Sequence, residues 1–317
     1  MNDVTDFSKD DASSASDEVR RESWPVQGTA ELEVTVDVGR VTVHLDANGP
    51  GVGTGQVTVE VRHDPTVGGG WAQGLTGIVT WLGNATGAPA GDPAQLAADA
   101  VAAAEISWSE PARRLVVRSS QELPLRVVPL AVTITAPEGS RVAARTGAGD
   151  VTVTGSASWA AVRTGSGSAT LETVDGDADV TTGSGDVGVG PVSGRTRVRT
   201  GSGAIRLADL GGAADVKAGS GDVELGVVSG DLGVRTGSGD LRIADARSGR
   251  YELTTGSGEL RIGVHPGVTA QVDLSSGSGT ARSDLEVGTT TPGQGAAVHV
   301  RGRTGSGDVL VTRAVPV

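Results

Sequence analysis

The 317-residue sequence contains no cysteine, and only five Trp, one Tyr, one Phe and one Met. Without thiols there are no disulfides and no thiolate metal sites, and the redox compartment stays open on this criterion. With so few aromatics, any core must be filled by small aliphatic side chains, and such a core is thin. Lysine is nearly absent: Lys9 and Lys217 stand alone among 26 basic residues, and 38 acidic residues bring the net charge to −12. That balance argues against general nucleic-acid affinity, which needs a basic footprint. No apolar run approaches the ~20 residues of a membrane-spanning helix, so no integral membrane segment is expected. The opening MNDVTDFSKDDASSASDEVRRES lacks the basic start and apolar core of a secretory signal. The expected location is therefore cytoplasmic, with envelope association left open, and residues 1–23 read as a disordered acidic tail.

What the chain has in abundance is glycine, 50 residues, and its placement is periodic. Gly147, Gly165, Gly183, Gly201, Gly219 and Gly237 follow one another at 18-residue steps; Gly256, Gly277 and Gly305 continue the series at 19, 21 and 28. Collagen would need glycine at every third residue with abundant proline, and neither holds. A fixed period of this size marks a solenoid, in which each repeat buries its apolar side only by stacking on its neighbours.

Stacking the 18-mers produces apolar columns. The fourth residue after each turn glycine is Val151, Ala169, Val187, Ile205, Val223 or Leu241, and the sixth is Val153, Leu171, Val189, Leu207, Leu225 or Ile243. The ninth column is Ser156, Val174, Val192, Leu210, Val228, Ala246; the fifteenth is Val162, Val180, Val198, Val216, Val234. Polar residues alternate with these, the period-two signature of half-buried strands. The expected fold is all-β: a parallel β-solenoid with two short strands per ~18-residue coil, joined by TGSG at one edge and VSG or its equivalent at the other. Residues 24–317 read as one domain, with irregular coils over 24–140, regular repeats over 141–263 and irregular coils again over 264–317. An insertion at 64–105 carries Trp71 and Trp81 on a glycine-rich apolar stretch, then a short helix opened by Asp92, Pro93 and Gln95. A hydrophobic cap on the solenoid end and a partner-binding loop are both consistent with that insertion.

The repeated RTGSGD has three readings. A phosphate cradle would need GxxxxGK[ST], or GxGxxG followed by a helix; here GSGD opens a strand. A calcium roll uses GGxGxDxUx half-coils, but the aspartate here has outward parity, and its column is interrupted at Ser168 and Ala204. The third reading is a corner, in which glycines take positive φ, the preceding threonines form a hydroxyl ladder and the aspartate receives exposed amides.

The outward positions offer the candidate contacts. Two residues ahead of the turn glycines stands a basic column, Arg163, Thr181, Arg199, Lys217, Arg235, suited to an unidentified protein or an acidic envelope polymer. In VDGDADV, Asp179 stacks with Arg197 and Asp215, and Asp177 lies beside Arg195, a pattern of cross-strand ion pairs on a solvated face. An outward column of Thr152, Thr170, Gly188 and Arg206 loses its hydroxyls after two coils. The four histidines are dispersed without metal-ligand spacing, and no Ser-His-Asp arrangement can be nominated. Accordingly no catalytic, metal or cofactor residues are assigned and no cofactor is expected.

The lead-in APEGSRVAARTGAGDVTV, the central TGSGDV repeats and the ending GVTAQVDLSSGSGTARSDLE…VHVRGRTGSGDVLVTRA resemble the bacterial putative-adhesin family, a β-strand-repeat domain of unknown function, in its actinobacterial type. The resemblance spans about residues 30–317. It implies a parallel β-solenoid, carries no catalytic residues to transfer, and points to adhesion or an envelope role. The function expected is thus a non-enzymatic interaction or structural protein. The alternatives are a calcium-stabilised exported roll and, less in keeping with coils this small, a carbohydrate-active enzyme on a parallel β-helix.

Overall fold

The computed structural model describes residues 19–46, 55–66, 93–285 and 296–315. Two sheets face each other across an aliphatic core, and the chain passes repeatedly from one to the other. In the regular region the first sheet contains the strands Trp159–Ser166, Ala178–Ser184, Thr196–Ser202, Ala214–Ser220 and Leu232–Ser238. Each is followed, after a two-residue corner, by a strand of the second sheet, such as Ile205–Leu210 or Val223–Val228. Neighbouring strands in both sheets are parallel and in register, so that Val180, Val198 and Val216 lie one above another. All five residues of the fifteenth column are fully buried, as are or nearly are those of the fourth and sixth. The expected two-strand coil is the coil observed.

The ninth column needs one correction. Ala157, not Ser156, pairs with Val174 and is buried; a register shift opens between Leu171 and Thr173 opposite Gly155. Gly155 has φ +81°, so the extra residue is taken up there as a bulge, and Ser156 turns its hydroxyl to Asp175 at 2.6 Å.

The corner is tighter than GSG. Gly237 and Ser238 still belong to the strand Leu232–Ser238, and only Gly239 and Asp240 separate it from Leu241–Ala246. The two glycines serve different needs. The second has positive φ throughout, from +125° at Gly221 to +147° at Gly279, a region glycine enters without steric cost. The first does not; at Gly201 an added Cβ would lie 2.4 Å from the carbonyl oxygen of Gly183 in the preceding coil. The 18-residue glycines are therefore a packing requirement of the stack, while the turn itself rests on the glycine two residues later.

Polar side chains close the corner. Threonines of the preceding column are buried, and their hydroxyls donate to corner carbonyls: Thr164 to Gly149 O at 3.1 Å, Thr182 to Gly167 O at 3.2 Å, Thr304 to Gly258 O at 3.0 Å. Each corner aspartate reaches the neighbouring coil. Asp150 Oδ1 accepts from the Ser168 amide at 2.8 Å, Asp186 from Ala204 at 2.9 Å, Asp222 from Asp240 at 2.9 Å and Asp240 from Glu259 at 2.8 Å. The opposite edge repeats the device, with Asp177 accepting from the Arg195 amide and Asp231 from that of Arg250.

Both ends depart from a simple succession of coils. The first strand begins at Val19, inside the segment 1–23 read as a tail; its alternation is masked by charges, and Val19–Val26 is ordered by antiparallel pairing with Gly55–His63. Gly55–His63 is itself antiparallel to Leu130–Pro137, so it is a capping strand and not an early coil. The 16-residue strand Glu31–Asp46 runs through both sheets, turning at Gly39 (φ +132°), and its two halves sit between the coil of 114–137 and the coil starting at Arg141. At the other end, Val298–Ser306 and Val309–Arg313 insert between the coil of 249–264 and that of 270–283. In space the corner order is therefore Gly256, Gly305, Gly277.

The helix Pro93–Ala102 buries Ala97, Ala100 and Val101, and the Arg20 guanidinium holds the carbonyls of Ala102 at 3.2 Å and Ala104 at 2.6 Å at its end. Gln95 donates to Asp99 at 2.9 Å, and Asp92, the cap expected from the sequence, lies outside the described residues. This part of the insertion covers the end of the core. Trp24 and Trp108 stack nearby with centroids 5.8 Å apart.

Two substitutions test the inward and steric assignments. Val198→Asp puts an unpaired carboxylate in a fully buried column and is expected to abolish the cooperative unfolding transition seen by circular dichroism. Gly201→Ala, which forces a methyl group against the Gly183 carbonyl oxygen, is expected to cost on the order of 1–3 kcal/mol. Gly233→Ala, whose Cβ would meet only the Ala214 carbonyl oxygen at 3.9 Å, should be neutral or stabilising by about 0.5–1 kcal/mol. Equal urea midpoints for the two alanine variants would refute the distinction.

Candidate binding face

The outward surface of the first sheet carries the basic column, and register extends it well beyond the five residues legible in the repeat. Arg163, Thr181, Arg199, Lys217 and Arg235 do stand one above another. On one side the column continues through Arg145 and Thr35 to Arg118. On the other it passes Thr254 and Arg303 and ends at Ser275. Eleven strands thus place seven cations in one row, and at ~4.8 Å per strand the row is about 48 Å long. Arg145 and Arg303 could have been read from the sequence, since each precedes a turn glycine by two residues. Arg118 could not, because its coil has no GSG.

The neighbouring outward column, two residues earlier in each strand, shows how the row keeps its charge. Acidic residues there accompany the hydroxyl positions: Glu33 with Thr35, Asp179 with Thr181, Glu252 with Thr254, Asp273 with Ser275. Beside the arginines stand Val116, Ala143, Ala161, Arg197, Gly233 and Arg301 instead. Lys217 is the exception, paired with Asp215 at 3.6 Å, and Arg118 reaches Glu33 at 3.3 Å. Arg145, Arg163, Arg199, Arg235 and Arg303 are exposed and make no ion pair among the described residues.

The VDGDADV carboxylates are largely occupied. Asp175 accepts from Ser156, Asp177 from the Arg195 amide, and Asp179 lies 3.6 Å from Arg197. Asp177 thus engages the backbone of Arg195, where the column pattern anticipated a side-chain pair. An open depression of about 390 Å³ lies on the same sheet between Arg195 and Arg197 on one wall and Arg250 and Glu252 on the other, with Asp215, Asp231 and Gly233 on its floor. Its charges offset one another. Among the described residues, no group of three or more His, Asp or Glu side chains is placed to hold a metal ion. His44 Nδ1 contacts Thr154 Oγ1 at 2.9 Å, and His265 Nδ1 lies 2.9 Å from Asp245. Trp71 and Trp81 lie outside the described residues. No helix among the described residues is long and apolar enough to cross a membrane.

A stacked parallel β-solenoid with a cationic row on one face is the class of protein that fold and surface define. Residues 193–312 match the model of the Toastrack DUF4097 family, a domain of unknown function. The matched segment contains the TGSGDV repeats from Gly201 onward and the C-terminal sequences that carried the family resemblance. Among solved structures, the chain is similar to a putative adhesin from Bacteroides fragilis at 9% identity, with a TM-score of 0.39 and coverage of 94% of this chain and 98% of that one. It is also similar to a putative adhesin from Parabacteroides distasonis, at 11% identity and TM-score 0.32, covering 92% and 97%. A putative cell adhesion protein from Clostridium sporogenes aligns at 9% identity and TM-score 0.21, covering 93% and 100%. No curated protein matches the chain.

Among the described residues, four carboxyls are held below the usual carboxylate range. For Glu33 the chief cause is the hydrogen bond from Arg114, helped by Arg118 and opposed by burial. For Asp64, burial pushes upward but is outweighed by bonds from the Thr66 amide and hydroxyl and by the charges of Arg40 and Arg62. Asp284 is lowered by Arg282, and Asp308 by the Thr280 amide. Groups with a lower pKa folded than unfolded stabilise the fold fully at neutral pH, and that contribution is lost as pH falls through about 4 and below. Asp284 and Asp308 both serve the terminal coil. Backbone amides of 270–285 are therefore expected to lose exchange protection on going from pH 6 to pH 3 before those of 196–246 do. Asp308→Ala should show part of that loss already at pH 6; uniform protection in the variant would contradict the role given to this carboxylate.

Proposed function

We propose that the protein is a non-enzymatic interaction module that presents the outer face of its first sheet to a partner, in the manner of an adhesin and in association with the cell envelope. The observation that carries this reading is the row of seven cations held in register over eleven strands, five of them without a carboxylate partner. A solvated face that merely needed solubility would mix charge signs along the column, because like charges stacked on adjacent strands repel. From the strand of Arg118 to that of Ser275, the acids of the adjoining column are confined to strands whose row position is a hydroxyl or Lys217. Only beyond Arg118 does an acid, Glu105 on the antiparallel strand next to it, enter the row. The coils themselves also favour binding over catalysis. General acid–base chemistry needs a perturbed group in a cleft beside a positioned substrate, and the described coils are filled by aliphatic side chains. The apolar insertion bearing Trp71 and Trp81 is a second candidate contact on its sequence alone.

Crosslinking in the native cell, followed by fractionation, tests the reading. Arg199→Glu with Arg235→Glu is expected to remove the crosslinked partner while leaving the thermal transition in place. A variant that keeps every partner would refute the assignment of this face.

A further inference from the structure

Next to the cationic row the same face carries a column with no side chains. Gly147, Gly165, Gly183, Gly201, Gly219, Gly237, Gly256, Gly305 and Gly277 are all exposed, two residues beyond the row in each strand. Beyond them, at the corner, runs a ladder of exposed serines: Ser166, Ser184, Ser202, Ser220, Ser238, Ser257, Ser306 and Ser278, in register from strand to strand. None of these eight hydroxyls takes part in a hydrogen bond within the described protein, in contrast to the buried threonines of the same corner. The three columns form a track parallel to the solenoid axis. Cations stand on one side, unengaged hydroxyls on the other, and bare backbone forms the floor.

We infer that this track binds an extended acidic polysaccharide, a chain of carboxylated sugars lying along the axis. The inference rests on the functional reading above and names its ligand. Three features select this chemistry. Guanidinium groups bond carboxylates in charge-assisted pairs, and they recur at the step of the coils, so that a linear polymer with regularly spaced carboxylates meets several at once. Serine hydroxyls both donate and accept, which suits sugar hydroxyls on the opposite side. Over the nine strands from Gly147 to Gly277 the glycine floor lets a broad, flat chain approach the backbone. Single-stranded nucleic acid is a poorer fit, because its binding uses aromatic platforms for base stacking. No aromatic residue stands in the three columns.

Each pair on such an open face contributes little, so binding has to come from many engagements on one chain. Affinity should rise steeply with polymer length and fall with salt, which screens exposed pairs. Linking sites on one chain raises apparent affinity on the order of 10²-fold or more.

The test uses the full chain and defined galacturonate oligomers up to polygalacturonate, with binding followed by calorimetry at low salt. The expected result is no measurable binding of the monomer, at least tenfold gains on passing from short to long oligomers, and no binding of neutral dextran. Arg163→Glu/Arg199→Glu/Arg235→Glu should weaken polygalacturonate binding at least tenfold. Ser202→Ala/Ser220→Ala/Ser238→Ala should weaken it a few-fold, and Arg206→Glu/Arg242→Glu on the opposite sheet should leave it unchanged, all with the wild-type melting transition. Monomer binding as tight as polymer binding, tighter binding of oligo-dT, or indifference to the triple reversal would overturn the inference. If polygalacturonate fails to bind while Arg199→Glu with Arg235→Glu still abolishes the cellular crosslink, the ligand is wrong and the binding face stands. If the crosslink also survives, both fail.

Discussion

The structure depends on bringing successive corners of backbone to within one hydrogen-bonded strand spacing of each other, about 4.8 Å. At that distance the carbonyl of one corner glycine points at the Cα of the next, and a methyl group in its path would lie well inside contact distance. Glycine in the first position of GSG is the consequence. The polar groups of the corner are then satisfied within the stack, the threonine hydroxyls on its buried side and the aspartate carboxylates on its exposed side. Threonine hydroxyls take carbonyls of their own or the adjoining corner, and aspartate carboxylates take amides of the adjoining coil. The coil is thereby specified by contacts it makes with other coils, and a single repeat would have neither a buried apolar face nor bonded corners.

The exceptions follow from the same constraint. Asp37 stands in the position of the first glycine in its coil, pairing with the place of Gly147. It is tolerated because the stack beyond it gives way to the loop of 119–126. Its carboxylate is used there, bonded by Arg126 at 3.0 Å, and its amide by Ser119 Oγ at 3.1 Å. Gly39 is retained because the chain still turns. Tyr251 fills an inward position held by Leu232 and Val300 in the adjoining coils, and its hydroxyl is satisfied by the Val228 carbonyl at 2.8 Å. Burial pushes its pKa far up, so it remains a neutral phenol.

The outer faces are under no such constraint, which is why their order is informative. Inward columns repeat because packing demands it, and the corner repeats because stacking demands it. Nothing in the stack requires that acids avoid the strands bearing arginine, or that a serine ladder be left unbonded beside a bare glycine column. Those arrangements add nothing to the core and are the features a long, charged ligand would use.

Much of this was legible in the chain alone. The 18-residue period, the inward aliphatic columns, the threonine ladder and the five central members of the basic row all follow from counting, because a stacked repeat turns sequence spacing into spatial register. What counting could not supply lay where spatial order departs from chain order. Only the three-dimensional pairing placed Glu31–Asp46 inside the stack, put Val298–Arg313 ahead of 270–283, and turned Gly55–His63 antiparallel as a cap. The same pairing extended the cationic row to Arg118 and showed that Ala157, not Ser156, fills the core. The sequence determined the repeating unit, since each of its residues answers to a neighbour one period away. Tertiary structure decided the ends and the continuity of the faces, because there a strand's partner is chosen by open edges and by the apolar surface left to cover, at separations no period encodes.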